Sequence, residues 1–68
     1  MMAHSTYLSV QEVAETLRIS PESVRALIRR GELPALRIGP SRQILRIDSD
    51  DLQAYIAAHY TGSRRTST

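Results

Sequence analysis

The sequence predicts a small α+β domain, mostly helical, with its elements in the order α-α-β-β-α. Three observations carry that prediction. Two apolar stripes at helical spacing lie on either side of a short break at Arg18, Ile19 and Ser20; two alternating segments follow around a Gly-Pro turn; a third helical stripe comes last. With 68 residues and no cysteine, there is room for one domain, and neither a disulfide framework nor a cysteine zinc site can form.

Each element has its own signals. Ser9 and Glu12 have the spacing of a capping box, and Val10, Val13, Ala14 and Leu17 recur on one helical face, so a first helix runs Val10–Leu17. Leu8, ahead of the cap, is placed to staple onto Val13. Ser20 and Pro21 form an N-cap followed by a proline at the first helical position, where the missing N–H costs nothing. Val24, Leu27 and Ile28 make the apolar stripe of this second helix. Arg29 and Arg30 fall in its last turn, where cations suit the dipole, and Gly31 ends it.

Leu33 and Pro34 break any continuation. Leu36, Arg37 and Ile38 then alternate like a strand, as do Leu45, Arg46 and Ile47, around the turn-forming run 39–43. The expected register turns Leu36, Ile38, Leu45 and Ile47 toward the helices and Arg37, Arg46 and Ile44 outward, with Arg42 at the hairpin tip. Asp48 caps a third helix that ends near Tyr60, with Leu52, Tyr55 and Ile56 on one face. The domain is expected over residues 8–60, with residues 1–7 and the polar tail 61–68 flexible. Its expected core is Val10, Val13, Leu17, Val24, Leu27, Ile28, Leu36, Ile38, Leu45, Ile47, Leu52 and Ile56.

This short apolar list cannot wall a deep substrate pocket, so an enzyme and a cofactor are not expected. His4 and His59 have no metal-ligand spacing, and Asp48, Asp50 and Asp51 suit a helix N-terminus better than a metal-dependent cleavage site. No apolar run approaches the roughly 18 residues of a membrane span, and the first ten residues lack a signal core, so a cytoplasmic location is expected.

All nine basic side chains are arginine, and seven of them fall between Arg18 and Arg46. Arginine forks onto phosphate oxygens and reads guanine edges in a way that lysine does less well. Two short helices joined by a tight turn, the second basic along its open face, form the helix-turn-helix arrangement that sets one helix in a DNA major groove. With Val24, Leu27 and Ile28 inward, steps of about 100° per residue leave Glu22, Ser23, Arg25, Ala26, Arg29 and Arg30 turned outward. Ser20, Glu22, Ser23, Arg25 and Ala26 are therefore assigned to the groove end of the helix, and Arg29 and Arg30 to phosphates. The hairpin supplies a wing whose candidates are Arg37, Ser41, Arg42, Gln43 and Arg46.

The chain from Leu8 to Ile56 resembles the excisionase-type branch of the MerR-like winged-helix superfamily. The resemblance rests on Leu8-Ser9-Val10 with Glu12, Val13 and Ala14, on Ile19-Ser20-Pro21, and on Val24-Arg25 running to Arg29-Arg30-Gly31-Glu32-Leu33-Pro34. Arg37-Ile38-Gly39, Arg46-Ile47 and Asp51-Leu52 complete it. It implies a second helix in the major groove and a wing, 39–43, along the backbone or in the neighbouring minor groove, where Arg42 reads a narrow groove by its potential. It further implies a phage or mobile-element excisionase in a bacterial host, which binds repeated sites on double-stranded DNA, bends them and steers an integrase toward excision. Further copies of the protein are then neighbours on the DNA. The long dimerisation helix and effector domain of full MerR-type regulators are not expected, nor is a small-molecule effector. Two other readings stay open from the residues: a small transcriptional regulator of a mobile element, and a protein-interaction adaptor or antitoxin that uses the helical surface.

Overall fold

The computed structural model describes residues 6–61. Of the ends expected to be flexible, Thr6, Tyr7 and Thr61 fall within that range, Tyr7 as part of a strand, and the rest lie outside the described residues. In chain order the elements are β1 (Tyr7–Ser9), α1 (Val10–Leu17), α2 (Pro21–Arg29), β2 (Leu36–Ile38), β3 (Ile44–Asp48) and α3 (Ser49–His59). The five predicted elements are present, and β1 is additional, so the order is β-α-α-β-β-α. The three strands form one antiparallel sheet with β3 in the centre. Strand β1 pairs Tyr7 with Asp48, Leu8 with Ile47 and Ser9 with Arg46. The Ser49 N–H extends this ladder by donating to the Thr6 carbonyl at 2.8 Å, and the Thr6 N–H donates to Ser49 Oγ at 3.1 Å.

Local chemistry explains the helix boundaries. At α1 the capping box closes in both directions: the Glu12 N–H donates to Ser9 Oγ at 3.0 Å, and the Ser9 N–H donates to Glu12 Oε1 at 2.8 Å. The helix stops at Arg18, whose φ of 61° is left-handed. A side chain in that conformation costs about 1–2 kcal/mol, which glycine avoids. The Arg18 side chain is exposed. Arg18→Gly is therefore expected to raise stability by up to about 1 kcal/mol, after the greater entropy that glycine loses on folding. A urea titration checks this through its midpoint.

Helix α2 starts on Ser20, whose Oγ accepts from the Ser23 N–H at 3.1 Å, with Pro21 in the first turn. It ends as a Schellman motif: past the Arg30 cap, Gly31 at φ 79° donates to the Ile28 carbonyl at 3.1 Å, and Glu32 donates to the Leu27 carbonyl at 2.9 Å. That reversal turns the chain back under the sheet and delivers Leu33 to the core, where it is 1% exposed. The sequence treats Leu33 only as part of a break; in the structure it is one of the four largest fully buried side chains, with Ile47, Val13 and Val24. Val10, Ala14 and Leu52 complete the buried core, and Leu8, Leu17, Leu27, Ile28, Leu45, Tyr55 and Ile56 pack partly buried against it.

The hairpin register corrects the expectation. Leu36 pairs with Arg46, Arg37 with Leu45 and Ile38 with Ile44. Directly paired residues share a face, so Leu36 and Ile38 lie on the outer face with Ile44 and Arg46, away from Leu45 and Ile47. Leu36 is 48% exposed, Ile38 39% and Ile44 44%. Arg37, expected outward beside Arg46, is instead on the face of Leu45, at an edge that leaves it exposed. The reason lies in the turn. The Arg42 N–H donates to the Gly39 carbonyl at 3.0 Å, Gly39 and Arg42 have φ of 94° and 57°, and the strands close on the Ile38–Ile44 pair. The inward face of β3, Leu45 and Ile47, is the expected one; β2 differs because Ile38 meets an apolar partner at either Ile44 or Leu45, and the turn selects Ile44. Leu33 supplies the burial that Leu36 and Ile38 were expected to give.

Candidate nucleic-acid interface

Burying Val24 fully and Leu27 and Ile28 in part turns a polar row of α2 outward. Glu22, Ser23, Arg25, Arg29 and Arg30 are exposed, and Ala26 is half-buried beside them. Ser20 is occupied by capping, and its hydroxyl also lies 3.0 Å from that of Ser23. Arg25 Nη1 donates to Glu22 Oε2 at 3.1 Å, one turn back on the same face. Both partners are well solvated, so the pair is worth under about 1 kcal/mol and opens easily for a competing anion. Arg30 donates to Glu32 Oε2 at 2.6 Å, which ties it to the helix end. Arg29 makes no ion pair among the described residues.

On the hairpin, Ser41, Arg42 and Gln43 are exposed at the tip. Arg42 sits there on a left-handed backbone, with φ of 57°. Arg46 is half-buried on the outer face and donates from Nη1 to the Leu45 carbonyl at 2.8 Å. Arg37 and Arg46 were grouped by sequence, but the register sets them on opposite faces of the sheet.

Packing α1 against both α2 and the sheet opens a concavity of about 350 Å³, lined by Ser9, Val10, Gln11, Arg25, Gln43, Ile44, Leu45 and Arg46. It gathers Arg25 from the second helix and Gln43 and Arg46 from the hairpin. Gln11 belongs to this surface and was absent from the residues singled out by sequence. A polar residue on the first turn of a helix gives no local sign of what packs opposite. Among the described residues, no cluster of His, Asp or Glu has the makings of a metal site, and no helix is long and apolar enough to cross a membrane.

The arrangement is a helix-turn-helix unit with an adjoining hairpin, compatible with a winged helix-turn-helix. Residues 7–60 match the family described as "Helix-turn-helix domain", and the chain belongs to it. The chain is 37% identical over 46 residues to the excisionase of Mycobacterium phage D29, a stretch covering 68% of this chain and 79% of that protein. It is 43% identical over 42 residues to a Mycobacterium tuberculosis (strain H37Rv) protein named "Putative DNA-binding protein Rv0500A", covering 62% of this chain and 54% of the relative. Over 54 residues it is 41% identical to the uncharacterized protein YvgK of Bacillus subtilis (strain 168), covering 79% of this chain but only 17% of that one. The chain thus spans about half, or less, of the length of the last two relatives.

Proposed function

We propose that this chain is a sequence-specific DNA-binding and DNA-bending protein of a phage or mobile element, an excisionase that directs an integrase toward excision, in the excisionase-type branch of the MerR-like superfamily. It acts on double-stranded DNA in a bacterial cytoplasm by binding alone, without a cofactor or a chemical step. The observation that carries this reading is the exposed row Glu22, Ser23, Arg25 and Arg29 on the second helix of a helix-turn-helix unit, flanked by a hairpin with Arg42 at its tip. The likeness to a phage excisionase along most of that protein's length supports the specific role.

The roles follow from reach. A nine-residue helix is about 14 Å long, and its N-terminal end enters a major groove about 12 Å wide, so Ser23 and Arg25 meet base edges while Arg29 stays with the phosphates. Arg42 takes the neighbouring minor groove. The apolar outer face of the sheet, Tyr7, Leu36, Ile38 and Ile44, gives copies on adjacent sites a surface to touch.

Gel-shift titration with circularly permuted probes from DNA flanking the gene tests the proposal. Cooperative, strongly bent complexes beside an integrase attachment site are the expected result. If about six phosphates are neutralised, log affinity falls against log salt with a slope near −5. A single unbent complex at a promoter turns the reading to a small transcriptional regulator. No shift, or binding indifferent to salt, removes DNA as the partner and leaves the protein-interaction reading.

A further inference from the structure

We infer that one backbone phosphate of the bound duplex sits in the concavity between α2 and the hairpin, and that the Gln11 side-chain amide donates a hydrogen bond to it. This rests on the proposed DNA-binding function and adds a contact on α1, outside the helix and wing already assigned. The major and minor grooves are separated by a sugar-phosphate strand. With α2 in one groove and the hairpin tip in the next, the strand between them crosses the space between these two elements.

That space is chemically suited to a phosphate. Its lining includes Arg25, Arg46, Gln11 and Gln43 and no carboxylate, and with Arg25 engaged on the base edges Arg46 is the cation left to the phosphate. Arg46 spends one N–H on the Leu45 carbonyl, and an arginine has five to offer. Gln11 is exposed, and Nε2 lies 3.5 Å from Glu15 Oε2, the outer limit of a hydrogen bond, so its amide is free to turn into the concavity.

A neutral donor on a phosphate has a signature that separates it from the arginines. Removing it weakens every sequence alike, yet releases no fewer counterions. The test uses fluorescence anisotropy of wild type, Gln11→Ala, Gln11→Glu and Gln11→Arg on a labelled 30-base-pair random duplex and on a duplex enriched by wild type from a random library, each across a NaCl series. Gln11→Ala is expected to bind both about fivefold more weakly with an unchanged salt slope. Gln11→Arg binds both more tightly, with the slope steeper by about 0.9. Gln11→Glu binds at least about tenfold more weakly; its carboxylate gains from the N-terminus of α1 and is repelled by Glu15 one turn on, so the thermal midpoint stays near that of wild type, and a melt of each variant separates the loss from misfolding.

If wild type binds and all three variants bind like it with the same slope, the phosphate passes elsewhere and only this inference falls. A loss on the enriched duplex alone makes Gln11 a base reader and overturns the phosphate seat. If wild type binds neither duplex, the DNA-binding proposal fails first and the inference with it.

Discussion

Replacing Arg25 with alanine is expected to weaken binding to the preferred duplex by about 1–3 kcal/mol, roughly five- to 150-fold, and to relax base choice at one position. The side chain stands on the open face of α2, in its second turn, and also lines the concavity facing the hairpin. A guanidinium there has the fork needed for guanine O6 and N7. In the free protein it is held 3.1 Å from Glu22, so truncation also leaves Glu22 uncompensated against the duplex. Arg29 lies one turn further along the same helix and makes no ion pair among the described residues. Arg29→Ala is accordingly expected to weaken all sequences to a similar degree. Selection from a random library with each variant reads out both effects. An unchanged base preference for Arg25→Ala removes it from the reading of sequence.

The other large effect concerns the fold. Leu33→Ala is expected to destabilise the domain by about 2–5 kcal/mol, since a fully buried leucine is replaced by a cavity. Small domains without staples seldom hold more than about 3–5 kcal/mol, so this variant is largely unfolded near its growth temperature. Leu36→Ala, by contrast, trims a side chain that is 48% exposed and is expected to cost under about 1 kcal/mol. Urea titrations of the two variants, followed by circular dichroism, measure the difference. Equal losses contradict the strand register, because they require Leu36 to share the core with Leu33.

What was legible in the sequence follows the range of the forces involved. The capping box at Ser9 and Glu12, the Ser20-Pro21 start, the Gly31 stop and the Asp48 cap are bonds between residues two to five apart, and the structure forms each of them. The same short-range order turned the polar row of α2 away from Val24, which made most of the candidate helix surface readable before any tertiary structure. Strand β1 was not readable, because three residues carry little pattern of their own and their partners on β3 are about 40 positions away. Gln11 escaped for a similar reason: only the packing of α1 brings it beside Arg25 and the base of the hairpin.

The amino-acid sequence by itself determined three helices, a hairpin and an arginine-bearing second helix, because caps, helical periodicity and turn residues act within a few positions along the chain. Tertiary structure alone decided that Leu36 and Ile38 of β2 face outward, since Ile38 can pair with Ile44 or with Leu45 and the turn at Gly39 and Arg42 selects Ile44. It also decided that Leu33, carried round by the Schellman turn, fills the core in place of Leu36 and Ile38, because close packing rewards the side chain that reaches the space, whatever its part in the local pattern.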